Sequence, residues 1–404
     1  MRIDSLRAKQ VFDTRGRATV ETTLTMQQGS TLNPNPQGRT LLHATASVPS
    51  GKSTGEHEAL ELDAARAIEN VNDEIANALK ERDFTSPDEL DSFLIKLDGT
   101  PDKSRLGANA LLSVSIASMR LFALAEGTLL WKAVSQRAGT TPSAPRLYVN
   151  VMNGGVHADF KLPFQEYMLI IKGAPSTSLP LAQEIFTKLG ERLGGNTPMG
   201  DEGGYAPTFE TLEEPFELLA ELVKEFPNTS LAIDAAASEL FHNDTYQLLE
   251  KSYTAEELFH VYENLVAHFP IHSIEDPFAE DATDDFVRLT AELGEKVIIV
   301  GDDLTCTNPL LISEAIQKRA INAVLIKPNQ IGTLQEAIKA VQATQNAGWK
   351  VICSHRSGET DDTFIADFAY GVGAYGLKAG GLGQRERLLK YARLLAIERE
   401  AETV

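Results

Sequence analysis

Six short apolar runs in the second part of this sequence each end on a residue that has chemistry to offer. SLAID (230–234) closes on Asp234, HSIED (272–276) carries Glu275, and VIIVGDD (297–303) carries Asp302. AVLIKPN (323–329) carries Lys327, KVICSH (350–355) closes on His355, and YGLKAG (375–380) carries Lys378. A single charge at a strand end is commonly just solvated. Six at successive ends point to a shared site, because burying so many charges is costly unless they face one another or a metal. Asp234, Glu275 and Asp302 offer hard oxygen donors of the kind that suits magnesium. Asp276 and Asp303 belong to the surroundings, since adjacent strand residues point to opposite faces. Two lysines crowded beside a divalent cation should have lowered pKa values, so that one can act as a neutral base. A base beside a metal ion is an arrangement for removing a proton whose departure leaves negative charge for the cation to stabilise.

These residues need elements to hold them. Near-continuous apolar strands separated by helical segments indicate a parallel sheet buried on both faces. Residues 139–404 match the roughly 250 residues of an eight-stranded α/β barrel, whose C-terminal strand ends share one mouth. An open doubly wound sheet is the alternative, because periodicity does not show closure. Upstream, TVETTLTM (19–26) alternates and is rich in β-branched residues, which predicts a half-buried strand. GSTLNPNPQG (29–38) predicts a loop, and LLHATASVP a second strand running into the polar loop SGKSTG (50–55). Helical patterns follow from Glu56 to Lys80 and from Gly107 to Glu126, the second apolar on nearly every face and so buried. The expected architecture is α/β: an α+β N-terminal cap over residues 1–138, then a catalytic TIM-like barrel over 139–404 that opens with the linker GTTPSAP.

Composition narrows the partners. A net charge of −20 and a pI near 4.9 exclude a nucleic-acid partner, which needs a basic footprint. Cys306 and Cys353 are the only cysteines, too few for a disulfide framework and suited to a reducing cytoplasm. No apolar run near Met1 reads as a signal peptide and none approaches a membrane span, so a soluble cytoplasmic protein with no membrane partner is expected. SGKST resembles the end of a phosphate-binding P-loop, but the first glycine of that motif falls on Ala46. His43, His57, His242, His260, His268 and His272 share no ligand spacing.

Longer motifs carry a family resemblance. SGKSTGEHEALEL, KSRLGANALLSVS, NGGVHADFKLPFQEYM, GDEGGYAP, SIEDPFAEDATDDF, GDDLTCTNP, LIKPNQIGTL and SHRSGETDDTFIADFA resemble those of enolases, in order, from about residue 10 to 400. The resemblance implies dehydration of a small anionic phosphocarboxylate, 2-phosphoglycerate, to phosphoenolpyruvate, with two magnesium ions in the closed complex. It implies Glu202 as general acid, Glu166 as its acidic partner with Gln165 beside it, and Lys327 as the base at C2. Lys378 then contacts the substrate carboxylate, and Arg356 and Ser357, after His355, bind phosphate. Asp234, Glu275 and Asp302 hold the first magnesium, Ser53 helps hold the second, and His157 lies on another closing loop. A homodimer is implied on the same ground.

The sequence also departs from that family. Lys52 stands where enolases normally have alanine, and an added ammonium there lies within plausible reach of the substrate's phosphoryl end. The usual charged segment after EALEL is absent, so that Asp63-Ala64-Ala65-Arg66 runs straight into a helix. DTRGRATVE has Arg17 and Ala18 where asparagine and proline are usual, and the chain stops soon after Glu398, short of the usual tail. Two further readings follow: a paralogue acting on a related phosphonocarboxylate, similar to carboxyphosphonoenolpyruvate synthase, and a non-catalytic binding protein on an enolase scaffold.

Overall fold

The computed structural model describes residues 2–28, 40–52, 55–159 and 162–403. The expected loop over 29–38 and Ser53 lie outside the described residues. The N-terminal part is an antiparallel sheet of β1 (Arg2–Phe12), β2 (Ala18–Gln28) and β3 (Thr40–Ser47). Alternation along β2 turns Val20, Thr22, Leu24 and Met26 inward, where they meet the helix Ala108–Glu126. Small residues on that helix let it sit close: the Ser113 and Thr22 hydroxyls are hydrogen-bonded at 2.6 Å. Contrary to the sequence expectation, this helix is long and apolar enough to cross a membrane, but 83% of its apolar window is covered by protein. It is a core helix.

Helix was expected from Glu56 onward, yet it begins at Ala64, capped by the Asp63 side chain accepting from Arg66 N at 3.0 Å. Residues 56–63 are drawn away instead: Ala59 N donates to Gln330 O at 2.8 Å and Leu60 N to Asp102 O at 2.7 Å. Backbone donors taken by another element cannot build a helix.

The second part closes into a barrel. Its strands are β4 (Arg146–Asn153), β5 (Glu166–Ile171) and β6 (Thr229–Asp234), followed, outside the barrel, by a small meander of β7 (Phe241–His242), β8 (Thr245–Leu248) and β9 (Lys251–Tyr253). The barrel continues with β10 (Ile271–Glu275), β11 (Ile298–Gly301), β12 (Ala323–Ile326), β13 (Lys350–Ser354) and β14 (Gly376–Lys378), which pairs back onto β4. Every residue of β5, β11 and β12 is buried, as expected of strands covered on both faces. Tyr148, Ile170, Val300, Leu325 and Ile352 belong to a separate apolar cluster drawn from strands around the barrel. The sheet is not parallel throughout: β5 runs antiparallel to both β4 and β6. Among the described residues only the short 3-10 turn Gly155–Ala158 lies between β4 and β5, with no α-helical crossover.

The two parts interlock. Arg120, on the core helix, forms a bidentate pair with Asp362 of the barrel at 2.7 Å on both arms, and Asp362 also accepts from Ser47 N at 3.1 Å. At Gly358 an added Cβ would lie 2.2 Å from Asp13 Oδ2, so only glycine allows the cap and barrel backbones to meet there. Arg120→Ala strands a buried carboxylate and should cost about 3–5 kcal/mol of unfolding free energy. Arg120→Met combined with Asp362→Leu should recover most of it. Denaturant melts of the three variants check this.

Candidate active site

Barrel closure brings the predicted residues to one mouth. Asp234, Glu275 and Lys378 are the last residues of β6, β10 and β14, while Asp302, Lys327 and His355 come one residue after β11, β12 and β13. Glu166 joins them by the opposite route. It is the first residue of the reversed strand β5, in register with Asp234. A cavity of about 280 Å³ is lined by His157, Gln165, Glu166, Glu202, Asp234, Lys327, Ser354, His355, Arg356, Ser357 and Lys378. All are polar, which suits a small, highly charged ligand and excludes an apolar one.

Lysines hold the carboxylates together. Lys378 Nζ donates to Asp234 Oδ2 at 2.8 Å and to both Glu275 oxygens at 2.8 and 2.9 Å, and lies 3.2 Å from Glu166 Oε1. Lys327 Nζ is paired with Asp302 Oδ2, whose other oxygen accepts from Gln330 Nε2 at 2.9 Å. The lowered lysine pKa values expected from the sequence belong to lysines beside a divalent cation; among the side chains alone the direction is the opposite. Burial pulls both down, but Asp302 outweighs it at Lys327, and Asp234, Glu166 and Glu275 outweigh it at Lys378, so both are raised. Asp276 buttresses the set from behind: its oxygens accept from Asp302 N at 2.9 Å and Asp303 N at 2.8 Å.

Glu202 faces a different environment. Asn150 Nδ2 donates to its Oε2 at 3.0 Å, and its Oε1 lies 3.6 Å from His157 Nε2 and 3.9 Å from His355 Nε2. Burial raises the Glu166 carboxyl well above the usual range, and Glu202 adds to this. Burial acts the same way on Glu202, but nearby His157, the largest opposing influence, helps to reverse it, and that carboxyl is held well below the usual range. The two carboxyls are therefore pushed in opposite directions.

Several residues that sequence reasoning did not select complete the site. Glu58 grips Arg356 in a bidentate pair at 2.9 and 3.0 Å, so its place in GEHEALEL was a usable signal. Arg387, fully buried, donates to His355 Nδ1, to Arg356 O at 2.8 Å and to Ser357 O at 2.8 Å. Gly380 makes room for it, since an added Cβ there would lie 2.3 Å from Arg387 Cδ. Nothing in RERLLK marks Arg387 apart from an ordinary helix start. Lys52 does not line the cavity. Its ammonium donates to Val156 O and Asp201 Oδ2, both at 2.7 Å, and Asp201 also faces His157 Nδ1 at 3.7 Å. His157 first, then Lys52 against an opposing effect of burial, brings the Asp201 carboxyl down to about 2.

The donor set fits a small hard cation. Asp234, Glu275 and Asp302 end neighbouring strands, and Gln165 Oε1 beside them is a buried acceptor without a hydrogen-bond donor. Burial, then Asp234, pushes the Glu275 carboxyl well above its usual range, the mark of more negative charge than the lysines offset. Among the described residues, the acidic or histidine groups whose ligand atoms lie within 4.8 Å of one another are Glu166, Glu202 and His355, and Asp276, Asp302 and Asp303. Asp276 spends both oxygens on backbone donors, whereas Asp234, Glu275 and Asp302 are paired with the two lysines.

With Nδ1 accepting from Arg387, a neutral His355 presents its Nε2–H to the cavity. Burial, followed by Arg387, lowers its pKa well below the usual imidazole value. His355 should therefore stay singly protonated at about pH 6, half a unit below an ordinary histidine. Nitrogen-15 imidazole shifts check this, and a doubly protonated ring at that pH would contradict it.

Comparison with known proteins agrees with this geometry. Residues 3–134 match the family model "Enolase, N-terminal domain" and residues 142–403 match "Enolase, C-terminal TIM barrel domain". The chain is 42% identical over 426 residues to the enolase of Methanopyrus kandleri, covering 99% of this chain and 96% of that one. It is 40% identical over 421 residues to enolase 1 of Methylococcus capsulatus, covering 98% and 97%. A closed barrel with a small N-terminal sheet domain, a polar mouth of facing lysines and carboxylates, and matches along nearly the whole chain make this protein a member of the enolase family and a hydro-lyase.

Proposed function

We propose that this enzyme removes water from 2-phosphoglycerate to give phosphoenolpyruvate. The observation that carries the reading is the placement of Lys327 and Glu202 on one cavity. Lys327 stands at β12 and Glu202 is held by Asn150 of β4, with β13 and β14 between them. A base and an acid set apart around a small cavity suit removal of a proton from one carbon and a hydroxyl from the next.

In this reading Arg356 and Ser357 bind the phosphoryl group, and Glu58 fixes the plane of the guanidinium. Lys378 faces the substrate carboxylate. Lys327 Nζ takes the C2 proton; Glu202 then protonates the 3-hydroxyl as the C3–O bond breaks and water departs. Glu166, whose carboxyl is raised by burial and by Glu202, hands a proton to Glu202, and His157 shields that side from solvent. Asp234, Glu275 and Asp302 would hold a magnesium ion, and the resemblance gives Ser53, outside the described residues, a part in holding a second. Bound there, magnesium supplies positive charge for the carboxylate as it becomes dianionic. Lys327 can accept a proton only when Asp302 no longer holds it charged.

The same reading takes the protein as a cytoplasmic homodimer, supported by the family and by two free buried thiols. A phosphonocarboxylate substrate drew its support from Lys52 and from the segment missing after EALEL; of these, the Lys52 ammonium is already engaged by Asp201 and Val156.

Activity followed by ultraviolet absorbance of phosphoenolpyruvate should vanish with a chelator and return with magnesium; a chelated enzyme that keeps its rate would refute the metal assignment. Lys327→Ala should lose both dehydration and exchange of the C2 proton with deuterated solvent, by at least about 10²-fold. Glu202→Gln should lose dehydration yet keep C2 exchange. The reverse pattern would exchange the two roles.

A further inference from the structure

Three segments meet at one ammonium. Lys52 belongs to the cap, Val156 to the short 3-10 turn Gly155–Ala158, and Asp201 to the turn that also carries Glu202. The base of the Lys52 segment is fastened independently. Ser50 and Gly358 exchange backbone hydrogen bonds at 2.8 and 2.9 Å, and Arg15 donates to Ser50 Oγ and Gly51 O, both at 3.0 Å. The other two segments are joined to each other by Asp201 N donating to His157 O at 3.2 Å. Lys52 is thus the side chain that carries this fastening across to the turns bearing His157 and Glu202.

We propose that Lys52 is a positioning residue: it ties the cap segment 50–52 to the His157 and Glu202 turns and so holds both near the cavity. It does so without touching the substrate. One ammonium satisfies a carbonyl and a carboxylate at once, and a charge-assisted bond to a fixed carbonyl is more directional than a lone surface ion pair. Lys52 and Asp201 are each about one-third exposed, at 33% and 34%, which keeps the contribution of their ion pair modest. The benefit is preorganisation: segments already joined need less ordering when substrate arrives.

This deepens the proposed reaction and rests on it for the kinetic arm alone. Hydrogen exchange on the free, full-length protein tests the tie directly. Lys52→Ala should speed exchange at Ser50, His157 and Asp201 amides by roughly three- to tenfold, the range expected for one exposed pair strengthened by a carbonyl contact. Lys52→Arg, which keeps a charged donor, should return them toward wild type. Asp201→Asn should speed the same amides, with losses in the double variant that less than multiply. With 2-phosphoglycerate, Lys52→Ala should raise KM by a similar factor and leave kcat nearly unchanged. Unchanged exchange in Lys52→Ala would overturn the proposal, and a raised KM with unchanged exchange would instead assign Lys52 to direct anion binding. A wild-type protein that fails to dehydrate 2-phosphoglycerate would sink the proposed reaction while leaving the exchange comparison standing.

Discussion

Lys378 Nζ lies within 3.2 Å of oxygens from Asp234, Glu275 and Glu166, and all four residues are buried. An uncompensated charge in such surroundings costs several kcal/mol, so the rest of the barrel mouth has to keep these groups in register. Closure of β14 onto β4 does this for Lys378, and pairing of β6 with β10 does it for the two carboxylates. The reversal of β5 follows the same need: running antiparallel, it presents Glu166 at its start, level with Asp234 at the end of its neighbour.

The mouth is also where the cap is needed. Arg356 is buried beside Lys327, and Glu58 reaches in from the cap to pair with it. Lys390 meets Glu359 at 2.6 Å, and Arg120 meets Asp362, so the buried charges of this interface are paired across it or beside it. Paired charges at an interface favour one docking geometry, because any shift leaves them buried and alone. The extended run from Glu56 to Asp63 is one consequence. Its backbone serves the contact with the barrel and is not free to wind into the helix that its composition favours.

Two chemically identical carboxyls acquire different properties at this mouth. Burial and then Glu202 raise the Glu166 carboxyl, whereas His157 works against burial at Glu202, whose carboxyl is lowered. The difference comes from position, since both are buried glutamates. His355 is likewise kept neutral by burial and by Arg387. Environment, not residue type, sorts donors from acceptors.

Much of this was legible in the sequence. Runs such as VIIVGDD and AVLIKPN reveal buried strands with a charge at the exit, because apolar continuity and strand length are local properties. The resemblance drew Glu166, Glu202, His157, Arg356 and Ser357 toward the same site, and the barrel places all five on one cavity. Closure of the sheet, the reversal of β5 and the unwound stretch before Ala64 were not legible, since each depends on hydrogen bonds to distant partners. Arg387 and the engagement of Lys52 by Asp201 were hidden for the same reason: the partners lie 32 and 149 residues away. The raising of both lysine pKa values by their side-chain partners was not legible either, because a pKa answers to the nearest charges in space, and among the side chains those are carboxylates. Residue types and local periodicity determined the inventory of the site. Only the tertiary structure decided which charge faces which, because electrostatic energy depends on distance in space and burial, and neither is written along the chain.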